Sequence, residues 1–416
     1  MDFLLIVLLI VIFSLRLFWL YFYKTSANIG FILPFIFECL FVYPYFLVDL
    51  LGLEWSFFGV LTMFLFSLSL QLGLVLNLNE SSKRVTIKIT NKMIYIVYIL
   101  LAFVYVGILS NHLDALHNLS SVTQVLIVAN QNAISRYDST LNVTLIYKIS
   151  TVFSFLLSLL IGVLVAVRKE RKFKFLLVVF FIILFIDSVL MAARAGLLLQ
   201  LFAFLASFIA TNYLTNKKGY YSISFSKVLA VLLFFVSIYL FFIIVQIARG
   251  GKEEFDILSI SSHVLTWFIG YLSAFDIWVR QYYLFEHTFG LRTFSGIADV
   301  LNIYERSGGV YEPVEIVAGR VTNIYTAYRG LIEDFTLPMS FLLLFCVGML
   351  ISICIRNVLC NTKKIYYPIL IMLLYFIFWS FVINPYIYNS ILLAMVCFII
   401  IICKYVKVEK NDKVNS

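Results

Sequence analysis

The stretch LLVVFFIILFIDSVLMAARAGLLLQLFAFLASFIA, residues 176–210, contains two long apolar runs on either side of the segment AARAG at 192–196. Each run approaches the length of roughly 20 residues that an α-helix needs to cross the hydrocarbon core of a bilayer. An arginine and a glycine separate the runs, which predicts two membrane-spanning helices joined by a tight connection. Because similar runs recur along the chain, the sequence predicts a polytopic membrane protein.

Composition excludes an ordinary soluble protein. Of the 416 residues, 63% are hydrophobic and only 13% are charged, whereas soluble domains average about 25% charged residues. The formal charge of +9 therefore indicates which connections lie on which side of the membrane. It does not indicate a nucleic-acid partner. The six cysteines lie in or beside apolar runs, without the spacing of a disulfide framework or a zinc site. We expect no metal ion and no cofactor.

Eleven apolar segments are candidate spans, so the predicted fold class is an all-α polytopic membrane protein with about 11 transmembrane helices. They lie near residues 3–23, 29–49, 57–77, 94–110, 149–167, 175–193, 197–213, 228–247, 338–355, 366–384 and 388–404. Every second connection between them is rich in lysine and arginine, and basic connections are expected on the cytoplasmic side. This orientation predicts a periplasmic N-terminus and a cytoplasmic C-terminus.

The spans divide the chain into four regions. These are 1–247 with the first eight spans and an outer segment near 111–148, a large periplasmic loop at 248–337, the last three spans at 338–404, and a cytoplasmic tail at 405–416. Inside the large loop, the apolar stretch VLTWFIGYLSAFDIWV at 264–279 predicts a short helix at the membrane edge.

The two predicted sides of the membrane use different basic residues. The cytoplasmic connections contain sixteen lysines and four arginines, whereas the outer segments contain two lysines and eight arginines. Arginine presents a planar pair of donors that matches phosphate or carboxylate, and it stays charged when water is removed. The outer arginines are Arg136, Arg194, Arg249, Arg280, Arg292, Arg306, Arg320 and Arg329. Each either pairs with an acid of the large loop or binds an anionic ligand.

Four of these arginines lie where a span meets the outer surface. Arg194 is in the AARAG connection, and Arg249 follows the eighth span beside two glycines. Arg320 and Arg329 flank the sequence TNIYTAY just before the ninth span. Charges at that depth are costly and are usually functional. We expect at least two of the four to bind an anion.

Other polar residues in or near the spans are either structural or candidates for the functional site. Asp187 is seven residues before Arg194, which predicts a shared helix face; it either holds Arg194 in place or is an ordinary satisfied polar group. Arg16 and Glu38 are predicted to form a structural ion pair inside the membrane. His263 opens the apolar stretch of the large loop, where it is either an ordinary interfacial histidine or a general base or phosphate donor.

The segment TNIYTAYRGLIEDF at 322–335, directly before an apolar span, resembles the N-x-Y-T…D-F signature of bacterial oligosaccharide repeat-unit polymerases, the O-antigen polymerases. The pieces GYLSAFDIWV at 270–279 and HTFGLRTFSGIADVL at 287–301 resemble the large outer loop of that family, and AARAG resembles its other arginine motif. One departure is Thr336, which stands where the family has a glycine after Asp-Phe.

The resemblance implies a GT-C-like glycosyltransferase at the periplasmic face of the bacterial inner membrane. It would transfer the growing glycan from undecaprenyl diphosphate to the non-reducing end of a new undecaprenyl-diphosphate-linked repeat unit, without a metal ion. Its partners would be this lipid-linked oligosaccharide as donor and acceptor, membrane lipid, and a chain-length regulator and a flippase of the same pathway. No nucleic acid is expected.

On this hypothesis a few outer residues carry the reaction. Arg194, Arg249 and Arg329 clamp the diphosphate of the leaving group, with Arg320 as a fourth contact. Asp334 and His263 are candidates for accepting the proton of the acceptor hydroxyl, with Asp276 as a third. The predicted substrate-binding residues are Arg320, Asn323, Tyr325, Thr326, Asp276 and Asp187.

Three other functions remain open. An O-antigen ligase uses the same lipid donor with a different acceptor, so composition does not separate it from a polymerase. A transporter or flippase would be equally apolar, but it is expected to carry charges along a central path and internal repeats. A non-catalytic scaffold of a polysaccharide assembly complex is the fourth reading.

Overall fold

The computed structural model describes residues 3–23, 29–75, 84–118, 121–137, 140–215, 225–250, 257–282, 287–304 and 311–410. Arg306 and residues 411–416 of the predicted tail lie outside these ranges. The helices are α1 (Phe3–Tyr23), α2 (Ile29–Phe41), α3 (Tyr45–Leu50), α4 (Phe57–Val75), α5 (Asn91–Asn118), α6 (Val122–Tyr137), α7 (Leu145–Val167), α8 (Arg171–Leu190), α9 (Arg194–Thr215), α10 (Phe225–Gly250), α11 (Ile257–Gln281), α12 (Ser295–Val300), α13 (Ala327–Phe335), α14 (Leu337–Asn361), α15 (Tyr366–Trp379) and α16 (Asn389–Tyr405).

Helices occupy all the apolar runs of the sequence, and the all-α class is confirmed at this level. Within the described residues, seven helical segments are long and apolar enough to cross a membrane, and four shorter apolar helices accompany them. The run at 29–49 is two helices, α2 and α3, separated by a turn that ends at Pro44. Proline lacks the N–H that would continue the helix. The number of spans, eleven, stays a prediction.

Glycines bring two of the long helices into backbone contact. A Cβ added at Gly348 of α14 would lie 2.2 Å from the carbonyl oxygen of Leu70, and one added at Gly73 of α4 would lie 2.0 Å from that of Phe345. Small residues at helix contacts let two backbones approach closely, which strengthens van der Waals packing where no hydrophobic gain is available in lipid. The α4–α14 contact therefore depends on having no side chain at either position.

The predicted ion pair between Arg16 and Glu38 is present and fully buried. The Arg16 Nε donates to Glu38 at 3.0 Å, and its Nη1 donates to the Gln71 side-chain oxygen at 2.7 Å. The hydroxyls of Ser67 and Tyr43 donate to the same carboxylate at 3.0 and 3.1 Å. Because both charges are hydrogen-bonded, the pair ties α1, α2 and α4 together without leaving a bare charge.

Two short antiparallel ribbons accompany the helices. Strand β1 (Val85–Ile89) pairs with β4 (Val406–Lys410), and β2 (Val314–Val317) pairs with β3 (Arg320–Thr322). Residues 406–410 of the predicted tail form a strand, because the buried residues of β1 offer them an apolar partner. That partner is more than 300 residues away, so no local pattern indicated it.

The apolar stretch predicted at 264–279 belongs to a longer helix, α11. It packs against α3, α4 and α10 and against the β2–β3 ribbon. Its residues Val264, Leu272 and Phe275 are fully buried inside the protein. The stretch is apolar because protein surrounds it. The predicted short helix at 264–279 is therefore one part of a longer helix that is packed inside the protein. This helix also fixes the distance between the two clusters of charged residues described next.

Candidate active site

The AARAG connection is a sharp corner between α8 and α9. The first helix ends at Leu190, Ala192 adopts a positive φ of 46°, and Arg194 begins the next helix. The prediction that Asp187 and Arg194 share a helix face is therefore wrong, because the helix is interrupted between them. Asp187 instead bonds His112 Nε2 at 2.9 Å and accepts from the Tyr147 hydroxyl at 3.1 Å.

Side chains from α6 and α10 bind the carbonyl groups of this corner. Asn132 donates to the Leu190 carbonyl at 2.9 Å. The Ala192 carbonyl accepts from Arg136 Nη2 at 3.1 Å and from Arg249 Nε at 2.8 Å. The last carbonyls of a helix lack intrahelical donors and carry partial negative charge, which attracts cations. Two guanidinium groups consequently meet at one oxygen.

Arg136 is the member of this group that sequence reasoning missed. It was one of eight outer arginines, but its distance in sequence from any span gave no reason to select it. Its only local signal is its position in the last turn of α6. The structure brings it to the corner, where it also donates to the Met191 carbonyl at 3.2 Å.

Arg194 is buried at the N-terminus of α9. Its Nη2 donates to Gln246 Oε1 at 2.9 Å, and its guanidinium carbon lies 5.4 Å from the centre of the Phe242 ring. A cation at a helix N-terminus adds to the positive end of the helix dipole. This arrangement costs stability by itself, and it produces a positive potential suited to an anion.

His263, on the first half of α11, faces the same arginines. Burial lowers the pKa of its imidazole below 6.5, and the charges of Arg194 and Arg249 lower the pKa further. Both effects favour the neutral imidazole, the form that can accept a proton. Three predicted site residues from α9, α10 and α11 thus lie together, and Arg136 joins them from α6.

Arg329 lies in a different environment. Its guanidinium carbon is 4.0 Å from the centre of the Tyr311 ring, 4.2 Å from that of Tyr325 and 5.1 Å from that of Trp278. Its Nε donates to Glu333 at 2.9 Å. An arginine enclosed by three aromatic rings and paired with a carboxylate stabilises the local fold.

Asp334 is fully buried and its carboxylate is surrounded by donors. It accepts from the backbone N–H groups of Arg292 and Thr293 at 3.0 and 2.8 Å. It also accepts from the hydroxyls of Thr288 and Thr293, each at 2.5 Å. Four donors occupy its lone pairs, so this carboxylate holds the loop and does not fit the predicted role of proton acceptor.

The two clusters are separated by the length of α11. His263 and Trp278, which contact the first and second cluster, are 15 residues apart on this helix. At 1.5 Å per residue they are about 22 Å apart along its axis. A single diphosphate cannot bridge that distance. The predicted clamp of Arg194, Arg249 and Arg329 is therefore reduced to the first two.

The Asp276 carboxylate, from α11, lies at the N-terminus of α4. It is fully buried, accepts from the Ser56 hydroxyl at 2.7 Å and lies 3.2 Å from Arg280 Nε. A Cβ at Gly59, in the first turn of α4, would overlap its carboxylate oxygen at 1.7 Å. An anion at a helix N-terminus is stabilising, so Asp276, predicted to bind substrate and to be a third candidate base, has a structural role instead.

The remaining predicted substrate-binding residues, Arg320 as the fourth diphosphate contact and Asn323, Tyr325 and Thr326 as sugar contacts, differ in accessibility. Asn323 is exposed and Arg320 is partly exposed on β3. Tyr325 and Thr326 are buried, and the Tyr325 hydroxyl donates to the Glu312 carbonyl at 3.1 Å. A sugar can reach the first pair directly but not the second.

Comparison with known proteins finds no matching family model, no similar curated protein and no similar solved structure.

Proposed function

We propose that this protein polymerises lipid-linked oligosaccharide repeat units at the outer face of the bacterial inner membrane. The observation that supports this function most directly is the convergence of Arg194, Arg249 and His263 from three separate helices. Two fixed cations next to a neutral imidazole match a reaction whose leaving group is a diphosphate and whose nucleophile is a hydroxyl. The sequence motifs at 322–335 point to the same family.

In the proposed reaction, undecaprenyl diphosphate leaves the anomeric carbon of the growing glycan. The hydroxyl at the non-reducing end of the new repeat unit attacks that carbon, and its proton passes to His263. The bond between the anomeric carbon and the diphosphate oxygen breaks as the new glycosidic bond forms. Arg194 and Arg249 stabilise the negative charge that develops on the diphosphate. Arg136 shares the Ala192 carbonyl with Arg249, so it fixes the corner that carries the clamp.

Surface glycan from a strain that lacks the gene tests the function. With a polymerase, the deletion leaves single repeat units on an otherwise decorated core, and a plasmid copy restores the ladder of long chains. If decoration vanishes while long lipid-linked polymer accumulates, the protein is a ligase. If lipid-linked single repeats accumulate on the cytoplasmic side, it is a flippase. An unchanged gel rejects all three.

Substitutions of the clamp test the site itself. With purified protein and lipid-linked repeat unit, Arg194→Ala and Arg249→Ala should each lower the polymerisation rate about 100-fold or more, since one donor to developing negative charge contributes that much. Arg136→Ala should have a smaller effect because it acts through the corner. Arg168→Ala is the matched control, since Arg168 is 40% exposed and 3.8 Å from Glu170. Normal long-chain polymer from both clamp variants would reject the assignment.

A further inference from the structure

Residues 289–303 carry an unusual number of exposed apolar side chains. Within this short part of the large outer loop, six large side chains are between 44% and 82% exposed. We call them the apolar patch; its members are Phe289, Phe294, Ile297, Val300, Leu301 and Ile303. Single exposed apolar residues are common, but a contiguous group marks an interaction surface.

The apolar patch is held rigidly to the rest of the protein. The backbone N–H groups of Arg292 and Thr293 donate to Asp334. The side chains of Asn384 and Asn389 donate to the carbonyls of Thr293 and Gly296 at 3.0 and 2.9 Å. These bonds fasten both the start of the segment and helix α12 within it, so its apolar side chains are displayed by a fixed backbone.

The backbone at the start of the segment is strained in a way that keeps a phenylalanine exposed. Phe289 has a φ of 47°, a region that bulky residues rarely adopt. Its N–H nevertheless donates to the Asp334 carbonyl at 3.2 Å, and its side chain is 82% exposed. The hydrogen bond maintains this unfavourable backbone conformation. The Phe289 side chain does not offset its cost, because it makes little packing contact within the protein.

The position of the apolar patch identifies what covers it. Asp334 precedes α14 by three residues, Asn384 lies between α15 and α16, and Asn389 is the first residue of α16, so the patch adjoins the ends of three apolar helices. On α16, Leu393, Val396 and Ile400 are each more than half exposed and share one face by their spacing. The exposed apolar surface thus continues from the helices into the loop.

We propose that the apolar patch inserts into the interfacial layer of the lipid bilayer beside α14 and α16. The spans on which it rests put it at the level where headgroups meet acyl chains. Asp299 and Asn302, exposed on the same segment, keep it shallow because neither enters hydrocarbon readily. This membrane contact would anchor the large loop independently of any chemistry at the arginine cluster.

Photocrosslinking in intact cells tests this contact. A benzophenone amino acid is incorporated at Phe294 or Leu301 of the full chain, and crosslinked peptides are analysed by mass spectrometry. We expect phospholipid adducts at both positions, at least fivefold more abundant than at Asn323, the exposed polar control on the same loop. The amount of full-length protein in the membrane fraction verifies that each variant folds.

Three results would overturn the proposal. Crosslinks at both positions to a second copy of this chain identify a dimer contact, and crosslinks to another polypeptide identify a partner protein. Lipid adducts no more abundant than at Asn323 show that the apolar patch does not reach the bilayer. None of these results depends on polymerase activity, so the proposed function and this contact can fail separately.

Discussion

Arginine side chains serve opposite purposes in this chain, and their neighbours decide which. Arg194 and Arg249 lie near His263, and each donates a hydrogen bond, to the Gln246 side chain and to the Ala192 carbonyl. Arg329 lies between two tyrosine rings and pairs with Glu333. All three appear equivalent in sequence because each lies near the outer end of a span. The surrounding side chains therefore separate Arg329, which is enclosed by rings and a carboxylate, from the two arginines assigned to the proposed diphosphate site.

Asp334 should behave as a structural carboxylate. In Asp334→Asn, one oxygen becomes an NH₂ group that faces donors, so unfolding in detergent should require about 2–4 kcal/mol less free energy. Glu312→Gln is the control, since Glu312 is exposed and should change stability by less than about 0.5 kcal/mol. A stable Asp334→Asn protein without activity would instead support the proton acceptor first predicted.

The pH dependence of the reaction should report His263. Burial and the two arginines lower its pKa, so kcat/KM should fall on the acidic side at a lower pH than for an ordinary histidine, because the protonated imidazole loses its capacity as a base. Arg249→Ala removes a positive charge that lowers this pKa, and the acidic limb should therefore move to higher pH. Arg320→Ala should leave the limb in place. If the acidic limb of the kcat/KM profile stays at the same pH in Arg249→Ala, His263 is not the base.

At the level of helices, the α4–α14 contact is the most sensitive to a change in volume. Gly348→Leu adds a side chain where even a Cβ meets a backbone oxygen at 2.2 Å. The helices must separate, and we expect a loss of roughly 2–4 kcal/mol, seen as a lower midpoint of thermal unfolding in detergent. Gly196→Ala is the control, because nothing lies within 4 Å of its added Cβ; it should be neutral or slightly stabilising. Equal midpoints for both variants would contradict the close contact.

At the level of the whole molecule, segments predicted to share a side of the membrane meet one another. β1 and β4 pair, and both belong to predicted cytoplasmic regions. Lys364 donates to the Cys403 carbonyl on the same predicted side. Arg136, Arg249 and the corner at Ala192 meet on the other. These pairings agree with the predicted alternation, while the sidedness itself stays a prediction.

Reporter fusions test that sidedness. Alkaline phosphatase fused after Thr140 should be active, because that segment is predicted to be periplasmic, and after Thr362 it should be inactive. Green fluorescent protein at the same two positions should give the reverse pattern. Activity of the phosphatase at both positions, or the inverse pattern, would contradict the orientation read from the basic residues.

Local features of the sequence were enough to predict a helical membrane protein, the positions of most of its long helices and the ion pair between Arg16 and Glu38. These features follow from local apolarity, from the length that a bilayer demands, and from the cost of leaving a charge unpaired in a buried position. It also selected Arg194, Arg249 and His263, because charged and titratable residues at the ends of apolar runs are unusual.

Which of the selected residues lie together became visible from the packing of the helices. Arg136 joins the site through a helix that no motif singled out, while Arg329, Asp334 and Asp276 are satisfied by rings, backbone N–H groups and a helix N-terminus. The strand at 406–410 forms because its partner is brought to it from the other end of the chain. In each case the deciding contact comes from a residue distant in sequence, and a one-dimensional pattern carries no information about that neighbour.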